Sequence, residues 1–120
     1  MTIKELKEFV AWETGRLDEV FEGSFKEKTL WAALKIAEEA GEVAEQAMCV
    51  CGYQRLVKIL ENPGLDNLGK EIADVIIVAM ILAERLGIDV EKSIKEKIEI
   101  VRNRTYKTSQ LCGITDQINV

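Results

Sequence analysis

Two short segments of the chain carry acidic side chains at spacings that suit metal chemistry. In the first, Glu38, Glu39 and Glu42 form the pattern EExxE. In the second, Glu71 and Asp74 form the pattern ExxD. Because residues three or four positions apart share a face of a helix, each segment would bring its acids together. Two such groups facing each other would repel strongly unless a cation lay between them.

The available residue types favour a hard divalent cation. Mg²⁺ and Mn²⁺ prefer oxygen ligands, and Mg²⁺ keeps waters that substrate phosphates can displace. The sequence contains no histidine, which excludes Ser-His-Asp and Cys-His catalysis, histidine-ligated zinc hydrolases and di-iron bundles built on Glu-x-x-His pairs. We therefore expect a site for a hard divalent cation, Mg²⁺ or, as an alternative, Mn²⁺.

Each acidic segment also has a simpler interpretation. Glutamates in an EExxE pattern are common on solvated helices, and an acid such as Glu71 near a helix N-terminus suits the helix dipole. Asp74 fits a solvated face poorly, because it follows Ile72 and Ala73 and precedes the nine uncharged apolar residues 75–83. Taken together, the two segments favour a metal site.

The first two elements that must position these acids are predicted to be helices. Thr2 and Glu5 form a capping-box pattern, and apolar residues at helical spacing continue from there to about Phe21. A second helix is predicted from about Glu27 to Val50. This helix would carry the EExxE acids.

The rest of the chain is also predicted to be helical. A short piece, YQRLVKIL, leads to the helix-breaking segment ENPGLDN. A third long helix is predicted over about 68–86, with Gly87 at its C-terminus, and a fourth from about Asp89 to Tyr106. The expected fold class is all-α: a bundle of four long helices plus a short helix.

Length, charge and composition limit the function further. A chain of 120 residues suits one domain, which we place at residues 1–106, with a C-terminal tail at 107–120. The net charge of −5 argues against binding to nucleic acid polymers or anionic membranes. No signal-peptide pattern is visible and the longest apolar run is too short to cross a bilayer. Three cysteines form no disulfide framework, so we expect a cytoplasmic protein.

The third long helix is apolar on nearly every side. A helix without a polar face is normally buried all round, and a chain of this size has difficulty enclosing one. We therefore expect a homodimer or homotetramer whose interface covers part of this helix. The alternative is a central helix wrapped by its own chain.

The two acidic motifs and their surroundings resemble the EExxE…ExxD signature of the MazG-like, all-α nucleoside triphosphate pyrophosphohydrolases. The resemblance rests on LKIAEEAGEVAEQ and GKEIADVIIVAMILAERLGID, and it covers roughly residues 30–106. It implies a MazG-like bundle packed into an oligomer. It also implies nucleotide house-cleaning: Mg²⁺-dependent hydrolysis of a nucleoside or deoxynucleoside triphosphate to the monophosphate and pyrophosphate.

The resemblance assigns roles to individual acids by their positions in the motifs. Glu39, Glu42, Glu71 and Asp74 would be the metal ligands. Glu38 would be the catalytic carboxylate, which orients or deprotonates the attacking water.

Basic residues are expected to bind the substrate phosphates. Lys97 and Arg104 lie seven positions apart and would share a face of the fourth helix. The pattern we associate with the family, K-x-x-x-N-x-x-R, has an asparagine where this chain has Val101, and this departure bears on the choice of sugar or base. Lys35 is a further candidate, although an i,i+4 ion pair with Glu39 would explain it equally well.

The same sequence allows other interpretations of base recognition and of function. Four aromatic residues could stack on a base, although aromatic residues at helical spacing more often belong to a core: Trp12, Phe25, Trp31 and Tyr53. The alternative function is a non-catalytic helical oligomer that binds nucleotide or a partner protein around a structural metal site. A helical interaction module with solvated acids and no metal is a third. Glu38 favours the enzyme, because a structural site needs no fifth acid.

Overall fold

The computed structural model describes residues 1–61 and 64–106, and the regular structure in these ranges is helical throughout. The elements in chain order are α1 (Ile3–Val20), α2 (Phe25–Val50), α3 (Leu56–Glu61), α4 (Leu65–Arg85) and α5 (Val90–Arg102). The prediction of an all-α protein with four long helices and a short one is therefore confirmed. None of the described helices is both long enough and apolar enough to span a membrane. The predicted tail at 107–120 lies outside the described residues.

Side chains cap the first two helices. The Thr2 hydroxyl accepts a hydrogen bond from the Glu5 N–H at 3.2 Å, and the Thr2 N–H donates to the Glu5 carboxylate at 2.6 Å, so the predicted capping box is present. The Ser24 hydroxyl accepts from the Glu27 N–H at 3.1 Å. This cap starts α2 at Phe25, slightly earlier than predicted. The helix then runs for 26 residues, about 39 Å at 1.5 Å per residue.

The helix that carries the second acidic motif, α4, begins at Leu65, ahead of the predicted start near residue 68. It ends at Arg85, and Gly87 follows with a φ of +65°. Only glycine adopts this left-handed conformation without steric cost, which is why helices often stop there. The predicted C-terminus of this helix is therefore confirmed to within a residue.

The last helix, α5, stops at Arg102 rather than near Tyr106. The Asn103 side-chain amide donates a hydrogen bond to the Glu99 carbonyl at 2.9 Å. The same carbonyl also accepts a hydrogen bond from the Asn103 backbone N–H at 3.3 Å. Asn103 thus lies just past the C-terminus of α5, which is shorter than predicted.

The described residues fall into two compact units that divide after Val90. The core of the first unit lies between α1, α2 and α4. Its buried cluster consists of Val10, Ala32, Met80 and Ile81. Since Ala32 is only 1 % exposed, the small side chain lets the helices approach closely there.

Contacts at both ends show that α2 and α4 pack antiparallel. Trp31 near the start of α2 and Arg85 at the end of α4 line one cavity. Glu42, farther along α2, lies beside Glu71 in the second turn of α4. The C-terminal ends of α1 and α4 also meet, because Asp18 pairs with Arg85 at 2.8 Å. The antiparallel pair brings the two acidic motifs to the same end.

Parts of the α4 surface are open to solvent. Ile72 and Ile76 are 46 % and 49 % exposed. Within residues 1–90, the other helices therefore leave part of this helix uncovered, unlike the enclosed central helix of the alternative. An interface with a second copy stays a prediction.

Candidate metal centre

Three of the four predicted metal ligands come together in the structure. One carboxylate oxygen from each of Glu39, Glu42 and Glu71 lies within 4.8 Å of the other two. The first two residues are one turn apart on α2, and the third belongs to α4. Glu39 is buried, Glu71 is partly buried and Glu42 is exposed. We call these three residues the acidic group; it is enclosed on one side and reachable from solvent on the other.

The chemistry of the acidic group fits a hard divalent cation. All three donors are carboxylate oxygens, the ligands that Mg²⁺ and Mn²⁺ prefer. Mg²⁺ is usually bound through a few carboxylates and keeps its remaining positions for water and substrate phosphates. The acidic group therefore suits Mg²⁺ held together with a phosphate-bearing ligand.

Within the acidic group the carboxyls perturb one another. A hydrogen bond with the Glu71 side chain raises the pKa of Glu42, and the negative charge of Glu39 raises it further. Two carboxyl groups can share a hydrogen bond only if one of them carries a proton. The acidic group thus favours a positively charged partner, whether a proton or a metal cation.

Lys35 brings a positive charge into contact with the acidic group. Its Nζ lies 2.9 Å from Glu38 Oε2 and 3.0 Å from Glu39 Oε1. Hydrogen bonds to Glu38 and Glu39 raise the pKa of Lys35, so the side chain stays charged. The i,i+4 ion pair considered from the sequence is therefore present. The role of Lys35 in phosphate binding stays a prediction.

Glu38 lies beside the acidic group and is not a member of it. Its side chain is 57 % exposed, and Lys35 is its ion-pair partner. The Glu38 carboxylate is next to the candidate ligands but contributes none of the three oxygens that converge. This placement suits the role of proton acceptor that the motif implies, which stays a prediction.

Asp74, the fourth predicted ligand, lies outside the acidic group and is exposed. The sequence-based prediction that Asp74 would be shielded from solvent, because its neighbours in sequence are apolar, is therefore wrong. The cause is the partial covering of α4, which also leaves Ile72 exposed. Its role as a ligand stays a prediction from the motif.

The two basic residues predicted to share a face of the last helix do not do so. Lys97 lies within α5, but Arg104 comes after the helix ends at Arg102, so their helical spacing no longer applies. This prediction is wrong because the helix is shorter than its sequence pattern indicates. Lys97 lines a shallow apolar groove on α5 with Ile98 and Val101. Phosphate binding by Lys97 and Arg104 stays a prediction.

A second charged cluster lies at the opposite end of the α2/α4 pair. Arg85 Nη1 is 2.8 Å from Asp18 Oδ1, and Lys28 Nζ is 3.3 Å from the same oxygen. The hydrogen bond from Arg85, followed by that from Lys28, holds the pKa of Asp18 below its usual value. These residues come from three helices, so no local spacing in the sequence could have revealed them.

Beside the charged cluster is a cavity of about 220 Å³, lined in part by Phe21 and Trp31. The two rings lie 5.4 Å apart between centroids, and Trp31 also packs against the core. Trp31 thus has the core role that its helical spacing favours. The other three aromatic residues considered for base stacking are exposed: Trp12, Phe25 and Tyr53.

The structure is thus a helical bundle in which carboxylates from two antiparallel helices form a group that could hold a metal ion. Residues 32–113 of the chain match the model of the MazG-like family. The chain therefore belongs to the MazG-like family, and the resemblance drawn from the two motifs is confirmed. Membership points to a pyrophosphatase-like hydrolase. No curated protein and no solved structure gives a significant match.

Proposed function

We propose that the protein is a Mg²⁺-dependent nucleoside triphosphate pyrophosphohydrolase. It would convert a nucleoside or deoxynucleoside triphosphate into the monophosphate and pyrophosphate. The observation that carries the proposal is the convergence of oxygens from Glu39, Glu42 and Glu71 within 4.8 Å. In a MazG-like protein, such a group is the natural place for the divalent cation that accompanies a triphosphate.

The acidic group would hold the cation between α2 and α4. Glu39, Glu42 and Glu71 are the ligands already in range of one another, and the motif adds Asp74 from the next turn of α4. A cation bound there supplies charge neutralisation for the triphosphate and makes a nearby water more acidic. The exposed side of the acidic group leaves an approach for the substrate.

Glu38 would accept the proton of the attacking water. As the water oxygen bonds to the α-phosphorus in line, the bond from that phosphorus to the bridging oxygen breaks, and pyrophosphate leaves. The proton passes to the Glu38 carboxylate. Glu38 suits this task because it adjoins Glu39 yet lies outside the acidic group, with its side chain 57 % exposed.

Pyrophosphate release from a panel of NTPs and dNTPs tests the proposal, with Mg²⁺, with Mn²⁺ and with chelator. We expect wild type to act on at least one triphosphate only when a divalent cation is present. Glu42→Gln should lose about 100-fold or more in kcat/KM, because it removes a ligand. Glu84→Gln is the control and should keep wild-type activity. Glu84 is exposed on α4, about 20 Å along the helix from Glu71.

Two results would contradict the proposal in different ways. Equal turnover by wild type and Glu42→Gln would show that the acidic group takes no part in the reaction. Binding of Mg²⁺ by wild type, without turnover of any triphosphate, would instead support a non-catalytic oligomer with a structural metal site.

A further inference from the structure

Glu39 belongs to two sets of contacts at once. It is a member of the acidic group, and its Oε1 lies 3.0 Å from Lys35 Nζ. Its side chain is only 11 % exposed, and burying a carboxylate without a counter-charge is costly. Lys35 therefore supplies a counter-charge to the most buried of the three acids.

We propose that Lys35 competes with the divalent cation for Glu39 and so limits the affinity of the site for metal. The inference rests on the metal site of the proposed function and adds a regulating residue to it. Lys35 acts on the cation only through Glu39 and is therefore a positioning residue.

Electrostatics gives the direction of the effect. An ammonium bonded to Glu39 and a divalent cation bonded to the same carboxylate would lie a few ångströms apart and repel each other. The Lys35 side chain is 25 % exposed, so solvent screens this repulsion only in part. Removing the lysine charge should therefore tighten cation binding, by about three- to tenfold.

Glu38 gives Lys35 an alternative partner. The Lys35 ammonium already lies 2.9 Å from Glu38 Oε2, and the Glu38 side chain is 57 % exposed. Lys35 can therefore loosen its bond to Glu39 and keep an ion pair at the edge of the acidic group. Because of this shared contact, a metal ion can replace Lys35 at Glu39 while the lysine ammonium keeps its ion pair with Glu38.

Three variants separate the charge of Lys35 from its other properties. Lys35→Met removes the charge and keeps an unbranched, helix-compatible side chain, whereas Lys35→Arg keeps the charge. Lys4→Met is the control, because Lys4 is 84 % exposed and makes a similar i,i+4 pair with Glu8 at 3.9 Å on α1. The Kd for Mg²⁺ and for Mn²⁺ is measured by calorimetry on the full chain without nucleotide. Tm is recorded with and without metal.

We expect Lys35→Met to bind Mg²⁺ about three- to tenfold more tightly than wild type. Its Tm should be lower without metal, because Glu39 loses its partner, and should rise more when metal is added. The Kd of Lys35→Arg for Mg²⁺ should stay within about threefold of the wild-type value. The Kd of Lys4→Met should equal the wild-type value. If Lys35→Met does not fold, Lys35→Gln serves instead, because its neutral amide can still donate to Glu39.

Equal or weaker Mg²⁺ binding by the neutral variants would overturn the inference, and so would a wild type that binds no Mg²⁺. Pyrophosphate release by wild type, assayed in parallel, reports on the proposed function separately. An inactive wild type whose neutral variants bind Mg²⁺ more tightly would overturn the hydrolase and leave the inference standing. An active wild type whose neutral variants bind more weakly would overturn the inference alone.

Discussion

Glu38 and Glu39 are adjacent in sequence but have different surroundings in the structure. Glu39 is buried within the acidic group, whereas the Glu38 side chain is 57 % exposed and lies outside it. Adjacent residues on a helix point about 100° apart. Glu39 therefore points into the acidic group, whereas Glu38 lies beside it. The two carboxylates can therefore perform different tasks.

Replacing Glu38 with glutamine tests this division. We expect Glu38→Gln to lower kcat by about 10²- to 10⁴-fold, the usual contribution of a general base. The Kd for Mg²⁺ should change by less than about tenfold, because the variant removes a nearby exposed charge and not a ligand. Steady-state kinetics and metal titration on the same preparation measure the two effects. A parallel loss of metal binding and turnover would instead make Glu38 a ligand.

At the other end of the α2/α4 pair, Asp18 neutralises the buried guanidinium of Arg85, whose side chain is 5 % exposed. The hydrogen bond from Arg85 holds the pKa of Asp18 below its ordinary value of 3.8. A carboxyl whose pKa is lower in the folded protein stabilises it above the unfolded-state pKa, and this contribution disappears as pH falls through the folded-state pKa. The Asp18 pair should thus matter at neutral pH and lose its effect in acid.

We expect Asp18→Asn to lower the free energy of unfolding by about 1 kcal/mol at pH 7, since Asp18 itself is half-exposed. The difference from wild type should shrink as pH falls below about 4. Urea denaturation over a series of pH values measures it. A difference that is constant across this range would show that the charge of Asp18 contributes nothing.

Among the helices, α2 contributes most to the site, because it carries Lys35, Glu38 and two members of the acidic group. Its start depends on Ser24, whose hydroxyl accepts a hydrogen bond from the Glu27 N–H at 3.1 Å. Ser24→Ala should cost about 1 kcal/mol of stability, while Ser24→Asp should stay close to wild type because it retains the cap. Chemical denaturation of the three proteins makes the comparison. Equal losses in both variants would mean that the hydroxyl has another role.

Features set by neighbours in sequence could be predicted for these helices. Thr2 and Glu5 form the expected capping box, and Gly87 follows the end of α4 with positive φ, because each depends on a few adjacent residues. The meeting of Glu42 with Glu71 was foreseeable on the condition that the two helices that carry the acidic motifs pack antiparallel.

Features set by tertiary packing could not be predicted in the same way. Asp74 is exposed among apolar neighbours in sequence, because exposure depends on which sides of α4 are covered by other helices. The pairing of Asp18 with Arg85 joins residues 67 positions apart, and neither residue carries a local pattern. The end of α5 at Arg102 was also missed, because the apolar periodicity of the sequence continues past it.

For the whole molecule, the open surface of α4 bears on assembly. Ile72 and Ile76, one turn apart on one face of α4, are each nearly half exposed. Neighbouring exposed apolar side chains of this kind often mark a protein interface. We therefore retain the proposal of a homodimer or homotetramer that covers this face.

Sedimentation velocity at micromolar concentration tests the assembly. The wild type should sediment at no less than twice the chain mass of 13.5 kDa. Ile76→Lys should shift it toward the monomer, because it places a charge in the contact. Circular dichroism checks that the variant keeps its helices. A wild type that sediments as a monomer at every concentration would end the proposal.

The buried cluster joins a residue outside the family match to residues inside it. Val10 is 2 % exposed and packs in the same cluster as Ala32, Met80 and Ile81, whereas the match begins only at residue 32. Trimming the gene to the matched segment would discard α1 and most of the first two turns of α2, stripping one wall from the hydrophobic interior. A recombinant fragment cut at that boundary should be insoluble or unfolded, because the segment that matches the family is shorter than the segment needed to complete the core.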